Sequence, residues 1–246
     1  MTVRVALFLL LCTGVLVGCA AAPPPASVGP SLAPTAVASP TARPTATAAP
    51  TATARVRIPF SGEIPSGSHD VPAGPFNELG YTIEMPTGWL AENGGRTLSK
   101  HPNSPGEVGI NSYVVSSIDA ESCGPDESVR PVGPSADDLA TALVNQPGAE
   151  SAGPFDVTLG GHAGKRVDFS VPEDLDIASC RIPVGLHVWE DDGGKNLIVL
   201  TDGSVSVYIV EVGGRRLVLS TQHRAGSLPE DVAEMNAIID SIDIQP

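Results

Sequence analysis

From Tyr81 onward, apolar and polar residues alternate over short segments that glycine and proline interrupt. Alternation with a period of two is typical of β-strands, and glycine-rich pairs between two such segments favour tight hairpin turns. The sequence predicts hairpin turns at Gly160-Gly161, at residues 191–194 and at Gly213-Gly214. Because hairpins join neighbouring antiparallel strands, successive hairpins predict an antiparallel sheet.

Residues 208–210 and 217–219 are apolar at consecutive positions on the two sides of Gly213-Gly214. Alternation is lost where both faces of a strand are buried. This segment is therefore predicted to form a strand pair that is covered on both faces.

Two other segments have helical spacing. Ser135 precedes two aspartates, which is typical of an N-cap followed by acidic residues in the first turn. Residues 227–230 have the pattern of a capping box, with Pro229 in the first turn. An apolar stripe then follows at Val232, Met235, Ile238, Ile239 and Ile242. The patterns together predict an α+β domain in which helices lie on two sides of a central antiparallel sheet.

An apolar run of 13 residues, 5–17, follows Arg4 near the start of the chain. A membrane-spanning helix needs about 20 apolar residues, so this run favours a secretory signal. Its end, Leu16-Val17-Gly18-Cys19, resembles the lipobox of bacterial lipoproteins. The resemblance implies that residues 1–18 are a cleaved signal peptide and that the Cys19 thiol carries a lipid such as palmitate. A signal that is uncleaved or cleaved elsewhere is the alternative.

The resemblance also implies a location at the cell membrane, where the lipid on Cys19 anchors the protein on the extracytoplasmic face. Residues 20–55 contain 8 prolines and 13 alanines and no acidic or aromatic residue. Such a composition cannot bury enough apolar surface to offset its conformational entropy. We therefore expect residues 19–57 to be a lipidated cysteine followed by a disordered tether, and residues 58–246 to form one domain.

The charge of the domain is strongly negative. All 28 acidic residues lie at or after Glu63, and 4 of the 14 basic residues precede it. The segment from Glu63 onward thus has 10 basic and 28 acidic residues, a net charge of −18. Nucleic acid is excluded as a partner, because its binding needs a basic surface.

Cysteine usage agrees with export. Cys12 lies in the signal segment and Cys19 is the lipidation site, which leaves Cys123 and Cys180 in the domain. An even count in an oxidising compartment predicts a disulfide between them. Free thiols or metal ligation are the alternatives, although neither cysteine has a CxxC pattern or a nearby histidine.

A second resemblance concerns the domain. Residues 81–89, Tyr-Thr-Ile-Glu-Met-Pro-Thr-Gly-Trp, are similar to the opening motif of PsbP-like domains, and residues 232–244 are similar to their closing helix and strand. The resemblance implies an α/β/α sandwich, in which Trp89 packs into the core. It also implies a binding or assembly module that is not an enzyme. No binding residue of that family matches this chain.

Motifs for other chemistry are absent from the sequence. The five histidines show no zinc-binding spacing, there is no GxSxG motif, and no glycine-rich loop joins a strand to a helix. The acidic clusters at 121–127 and 173–176 lack EF-hand spacing and are interpreted as solvated loops. We therefore predict no catalytic, cofactor-binding or metal-binding residue.

The predicted function is that of a membrane-anchored extracytoplasmic lipoprotein that acts as a non-enzymatic binding or assembly module with an envelope protein as partner. An extracytoplasmic hydrolase whose triad is built from loops is one alternative. A small-ligand or metal-ion receptor that uses the acidic loops is the other.

Overall fold

The computed structural model describes residues 55–124 and 127–244. The predicted signal peptide, Cys19 and nearly all of the predicted tether lie outside these residues. The described part contains sixteen strands and two α-helices. The strands are β1 Val56–Arg57, β2 Gly62–Glu63, β3 Gly67–Val71, β4 Tyr81–Met85, β5 Leu90–Glu92, β6 Thr97–Lys100, β7 Val108–Tyr113, β8 Ser117–Asp119, β9 Val129–Pro131, β10 Glu150–Leu159, β11 His162–Ser170, β12 Gly185–Glu190, β13 Asn196–Leu200, β14 Gly203–Val212, β15 Arg215–Arg224 and β16 Asp243–Ile244. The helices are α1 Ala136–Val144 and α2 Pro229–Asp240.

A central sheet of eight strands organises the domain. Its order is β10-β11-β14-β15-β7-β6-β5-β2, and every neighbouring pair is antiparallel. The three hairpins predicted from the sequence are present as β10–β11, β12–β13 and β14–β15. In the last of them Gly213 and Gly214 have φ angles of 61° and 76°, values that a two-residue hairpin turn requires and that glycine adopts at little cost.

Each face of the central sheet has its own hydrophobic core. One core contains side chains of α2 and of a four-stranded sheet with the order β1-β3-β4-β16. The other contains side chains of α1 and of the β12–β13 hairpin. Along β14 and β15, Val210 and Leu217 belong to the first core and Ile209 and Val218 to the second, which confirms the prediction of a strand pair covered on both faces.

The predicted fold class is wrong, because the layers that cover the two faces of the central sheet are not made of helices alone. Antiparallel pairing is confirmed, but the molecule is mostly β-sheet and not an α/β/α sandwich of the PsbP-like kind. Short strands occupy a large part of both covering layers, since β1, β3, β4 and β16 lie beside α2 and β12 and β13 lie beside α1. Some of these strands pair over long sequence distances, for example Tyr81 with Ile244, and the packing of the β12–β13 hairpin beside α1 is not contained in its local pattern.

The two helices form where their spacing predicts them. The Ser135 side chain accepts a hydrogen bond from the Asp138 amide, and Asp138 accepts one from Ser135 in return, so α1 has a complete capping box. The capping box predicted for α2 is wrong. Leu228 is its N-cap, and the Ser227 hydroxyl instead donates to the carbonyl of Glu107 at 2.8 Å. The predicted apolar stripe of α2 packs into the first core.

Candidate functional site

The two cysteines of the domain form a disulfide. Cys123 follows β8 and Cys180 precedes β12, and their Cα atoms lie 4.5 Å apart. The prediction from cysteine counting is confirmed, and free thiols and metal ligation by this pair are excluded. Cys19 lies outside the described residues, so its lipidation stays a prediction.

The acidic clusters do not come together as a cation site. Glu173, Asp174 and Asp176 are exposed, and Glu127 forms an ion pair with Arg181 at 3.2 Å. Among residues 55–124 and 127–244, no group of three or more histidine, cysteine, aspartate or glutamate side chains has the arrangement of a metal site.

Two histidines of the described residues lie beside an aspartate. The exposed His101 Nε2 lies 3.3 Å from Asp231 Oδ2, and His187 makes the closer contact. His187 on β12 is buried, and its Nδ1 lies 2.6 Å from Oδ2 of Asp119 on β8. Its Nε2 lies 2.8 Å from Oδ1 of Asn196 on β13, and Arg181 also contacts Asp119 at 3.1 Å. Because both ring nitrogens have protein partners, this histidine is not placed to take a proton from a substrate. The cluster joins β8, β12 and β13.

A polar groove lies between the central sheet and α2, and we call it the α2 groove. Its volume is about 380 Å³. It is lined by Arg166, Asp168, Ser204, Ser206, Tyr208, Thr221, His223, Val232, Met235, Asn236 and Asp240. Past Asp168 and Ser206 it continues into a depression of about 370 Å³ beside β10 and β11.

Strand alternation produces the floor of the α2 groove. On β14, Val205, Val207 and Ile209 belong to the core on the α1 side. The intervening Ser204, Ser206 and Tyr208 therefore face α2, because successive side chains of a strand point to opposite faces. Pairing between β11, β14 and β15 then sets Asp168 opposite Ser206, and Ser206 opposite Thr221.

Polar contacts hold α2 on the side of the groove away from β11. Lys100 Nζ on β6 lies 2.7 Å from Asp231 and 2.9 Å from Glu234. The Trp89 indole N–H donates to the same Glu234 carboxylate at 2.6 Å. The hydrogen bonds to Asp231 and Glu234 raise the pKa of Lys100, so the ammonium stays charged. These contacts tie α2 to side chains at the β5–β6 end of the sheet, and the groove lies on the other side of the helix, over β11 and β14.

The charges in the groove nearly balance. Arg166 Nε lies 3.1 Å from Asp168 Oδ1, and Asp240 adds a second carboxylate at the rim. Burial raises the pKa of Tyr208, an effect that the nearby Arg166 guanidinium opposes, so the phenol stays protonated at neutral pH.

Several polar side chains of the groove are left without a partner among the residues that the structure describes. Within the described ranges, the side chains of Ser204, Ser206, His223 and Asn236 make no hydrogen bond to another residue. Hydroxyl, imidazole and amide groups both donate and accept hydrogen bonds. The groove therefore offers unused hydrogen-bonding capacity to a molecule that enters it.

The sequence contains a partial signal of this groove, although the groove was not predicted. Ser204-x-Ser206 and Arg166-x-Asp168 place polar side chains on one face of strands whose other face is apolar. Which strands neighbour each other, and where α2 lies over them, depends on pairings that the local pattern does not contain.

Comparisons with known proteins identify no family for this chain. No protein-family model and no curated protein matches the chain. Among solved structures, the chain is similar to the crystal structure of LpqN, a protein of Mycobacterium tuberculosis involved in cell envelope biogenesis. The sequences are 14% identical, the match covers 74% of this chain and 80% of LpqN, and the TM-score is 0.30. At that score the similarity carries no argument about fold or function.

Proposed function

We propose that this protein is an extracytoplasmic lipoprotein, anchored in the cell membrane by acyl chains on Cys19, whose domain acts as a non-enzymatic binding module of the cell envelope. The lipobox-like residues 16–19 and the preceding apolar run support the anchor. Acyl chains anchor a soluble domain because each buried methylene contributes about 0.8 kcal/mol. Neither helix in the part of the chain that the structure describes is long and apolar enough to cross a bilayer.

The observation that carries the binding function is the α2 groove, in which several polar side chains have no partner within the described protein. Ligand sites are concave and orient their ligands through a small number of placed polar groups, which this groove supplies. A hydrolase receives less support, because the histidine nearest to an aspartate is occupied on both ring nitrogens. An envelope protein partner, as predicted from the sequence, remains part of the proposal.

Metabolic labelling tests the anchor. Cells grown with an alkyne fatty acid should label the wild-type protein, while Cys19→Ser should not be labelled and should leave the membrane fraction. Equal labelling of the two proteins would contradict the anchor.

Site-specific photo-crosslinking in intact envelopes tests the binding function. A photoreactive residue at Asn236, on the exposed rim of the groove, should give a discrete adduct. The same residue at Asp174, on an exposed loop away from the groove, serves as the matched control. Identical adduct patterns at both positions, or turnover in a hydrolase panel that a single Ser or His substitution removes, would contradict a non-enzymatic binding module.

A further inference from the structure

The three strands under the α2 groove limit how a ligand is recognised there. β11 pairs with β10 and β14, β14 pairs with β11 and β15, and β15 pairs with β14 and β7. Their backbone groups are therefore used within the sheet. An extended peptide cannot add a strand at this position, because strand addition needs an unpaired edge. Recognition in the groove depends on side chains alone.

The side chains in the groove favour an uncharged ligand. Asp168 neutralises Arg166, and Asp240 leaves a small negative excess within a segment whose net charge is −18. An anionic ligand such as a phosphate would meet an unfavourable field, since Arg166 is the only arginine or lysine among the described residues that line the groove. A mainly apolar ligand would leave the serine, threonine and asparagine groups without partners, which is costly when water is displaced.

The hydrogen-bonding groups suit a molecule that has many hydroxyls. A sugar hydroxyl donates one hydrogen bond and accepts others, so its recognition needs acceptors and donors close together. The groove places the acceptors Asp168 and Asp240 near the donors Arg166 and Asn236, with hydroxyl side chains between them. Val232 of α2 and the Tyr208 ring, both half-buried, supply apolar surface for the C–H face of a pyranose.

We propose that the α2 groove binds an uncharged saccharide, of the size of one or two pyranose rings, through side chains of β11, β14, β15 and α2. This inference rests on the proposed binding function and names its ligand class. The groove and the depression beside it, about 380 and 370 Å³, have room for two rings.

The test uses the full-length Cys19→Ser chain, which lacks the lipid and keeps the disulfide. Backbone amide spectra are recorded during titration with glucose, N-acetylglucosamine, maltose and chitobiose, and separately with inorganic phosphate and trialanine. At least one saccharide should shift the amides of residues 204–208 and 236–240 saturably, with a Kd on the order of 1 mM.

Variants locate the site. Ser206→Val and Asp240→Ala should each weaken saccharide binding roughly fivefold, as expected when one hydrogen-bonding group is lost. Asp174→Ala removes an equally exposed carboxylate outside the groove and should leave the affinity unchanged.

The proposal is overturned if no saccharide shifts the groove amides, if phosphate or trialanine shifts them more strongly, or if Asp240→Ala and Asp174→Ala weaken binding equally. Its failure is separable from failure of the proposed function. A specific adduct at Asn236 without saccharide binding leaves the binding module intact with another ligand. Saccharide binding without fatty-acid labelling leaves the ligand class intact and removes the anchor.

Discussion

Lys195 lies in the turn of the β12–β13 hairpin, and its amine is half-buried. Its Nζ donates to Asn111 Oδ1 at 2.6 Å and to Thr97 Oγ1, both of which are uncharged. Burial, together with the nearby Arg96 guanidinium, lowers the pKa of Lys195 to about 8. The protonated form is thus less stable in the folded protein than in the unfolded chain, where the pKa is near 10.4.

This shift predicts a rise of stability with pH. Between about pH 8 and pH 10 the unfolded chain binds a proton that folded Lys195 has released, so the free energy of unfolding increases with pH, by on the order of 2 kcal/mol. Above that range the buried Tyr81, whose pKa burial raises to about 12, acts in the opposite direction, because the unfolded chain then ionises first.

Lys195→Met should abolish most of the increase in the free energy of unfolding between about pH 8 and pH 10. Lys165→Met is the control and should retain this increase, because it removes an amine paired with exposed Asp156 and Asp137. Urea unfolding at pH 7 to 10 measures both variants. A wild-type stability that is flat or falls across this window would contradict the shift.

Arg96 and Asp191 form a buried ion pair that closes the turn of the β12–β13 hairpin. One Arg96 nitrogen lies 2.6 and 2.7 Å from the two carboxylate oxygens, and Asp191 also accepts from the backbone of Gly193 and Lys195. Asp191→Ala should destabilise the domain by about 3 kcal/mol, because it leaves a buried guanidinium without its partner. The exposed pair of Arg224 with Asp202 is the control, and Asp202→Ala should cost less than about 1 kcal/mol in the same unfolding assay.

At the scale of the elements, the position of α2 depends on a few polar contacts as well as on its apolar stripe. Glu234 accepts from both Trp89 and Lys100. Glu234→Ala should lower the free energy of unfolding by about 1–2 kcal/mol, since the buried indole N–H loses its partner.

The same variant should change the width of the α2 groove, because α2 is then free to move over the sheet. We expect amide shifts along α2 and along residues 204–208 that Glu230→Ala, an exposed change in the first turn of the same helix, does not produce. If both variants gave the same spectra, the Glu234 contacts would not be what positions the helix.

The elements were predicted from the sequence far better than their arrangement. The strand pair around 208–210 and 217–219 was predicted because Gly213-Gly214 joins two apolar segments, and α1 was predicted because Ser135 and the aspartates after it cap the helix locally. Ser227 has the same local pattern, but a tertiary contact with Glu107 takes its hydroxyl away from the helix end. The α2 groove was not predicted because its walls, which are β11, the β14–β15 hairpin and α2, come together through contacts between distant parts of the chain.

For the whole molecule, the excess of negative charge makes the domain a poor partner for polyanions. The net charge of −18 from Glu63 onward repels nucleic acid and anionic lipid headgroups alike, so contact with a membrane falls to the proposed anchor at Cys19. This charge also favours the solubility of a domain that the predicted tether, residues 20–57, would hold away from the membrane. An uncharged ligand avoids this repulsion, in agreement with the inference for the α2 groove.

The disulfide acts on the whole domain because it joins parts of the chain that are 57 residues apart. Closing a loop of that length restricts the unfolded chain and stabilises the folded state by about 4 kcal/mol in the chain-entropy description. The double variant Cys123→Ala/Cys180→Ala should therefore unfold at a clearly lower urea concentration than the oxidised wild type.

Reduced wild-type protein should unfold at the same urea concentration as the double variant, and added reductant should leave the variant unchanged. The amide spectrum of the α2 groove should be preserved below the transition, because neither cysteine lines the groove. Equal midpoints for oxidised and reduced wild type would show that the crosslink does not stabilise the fold. Loss of the groove spectrum in the folded variant would show that the disulfide shapes the binding site itself.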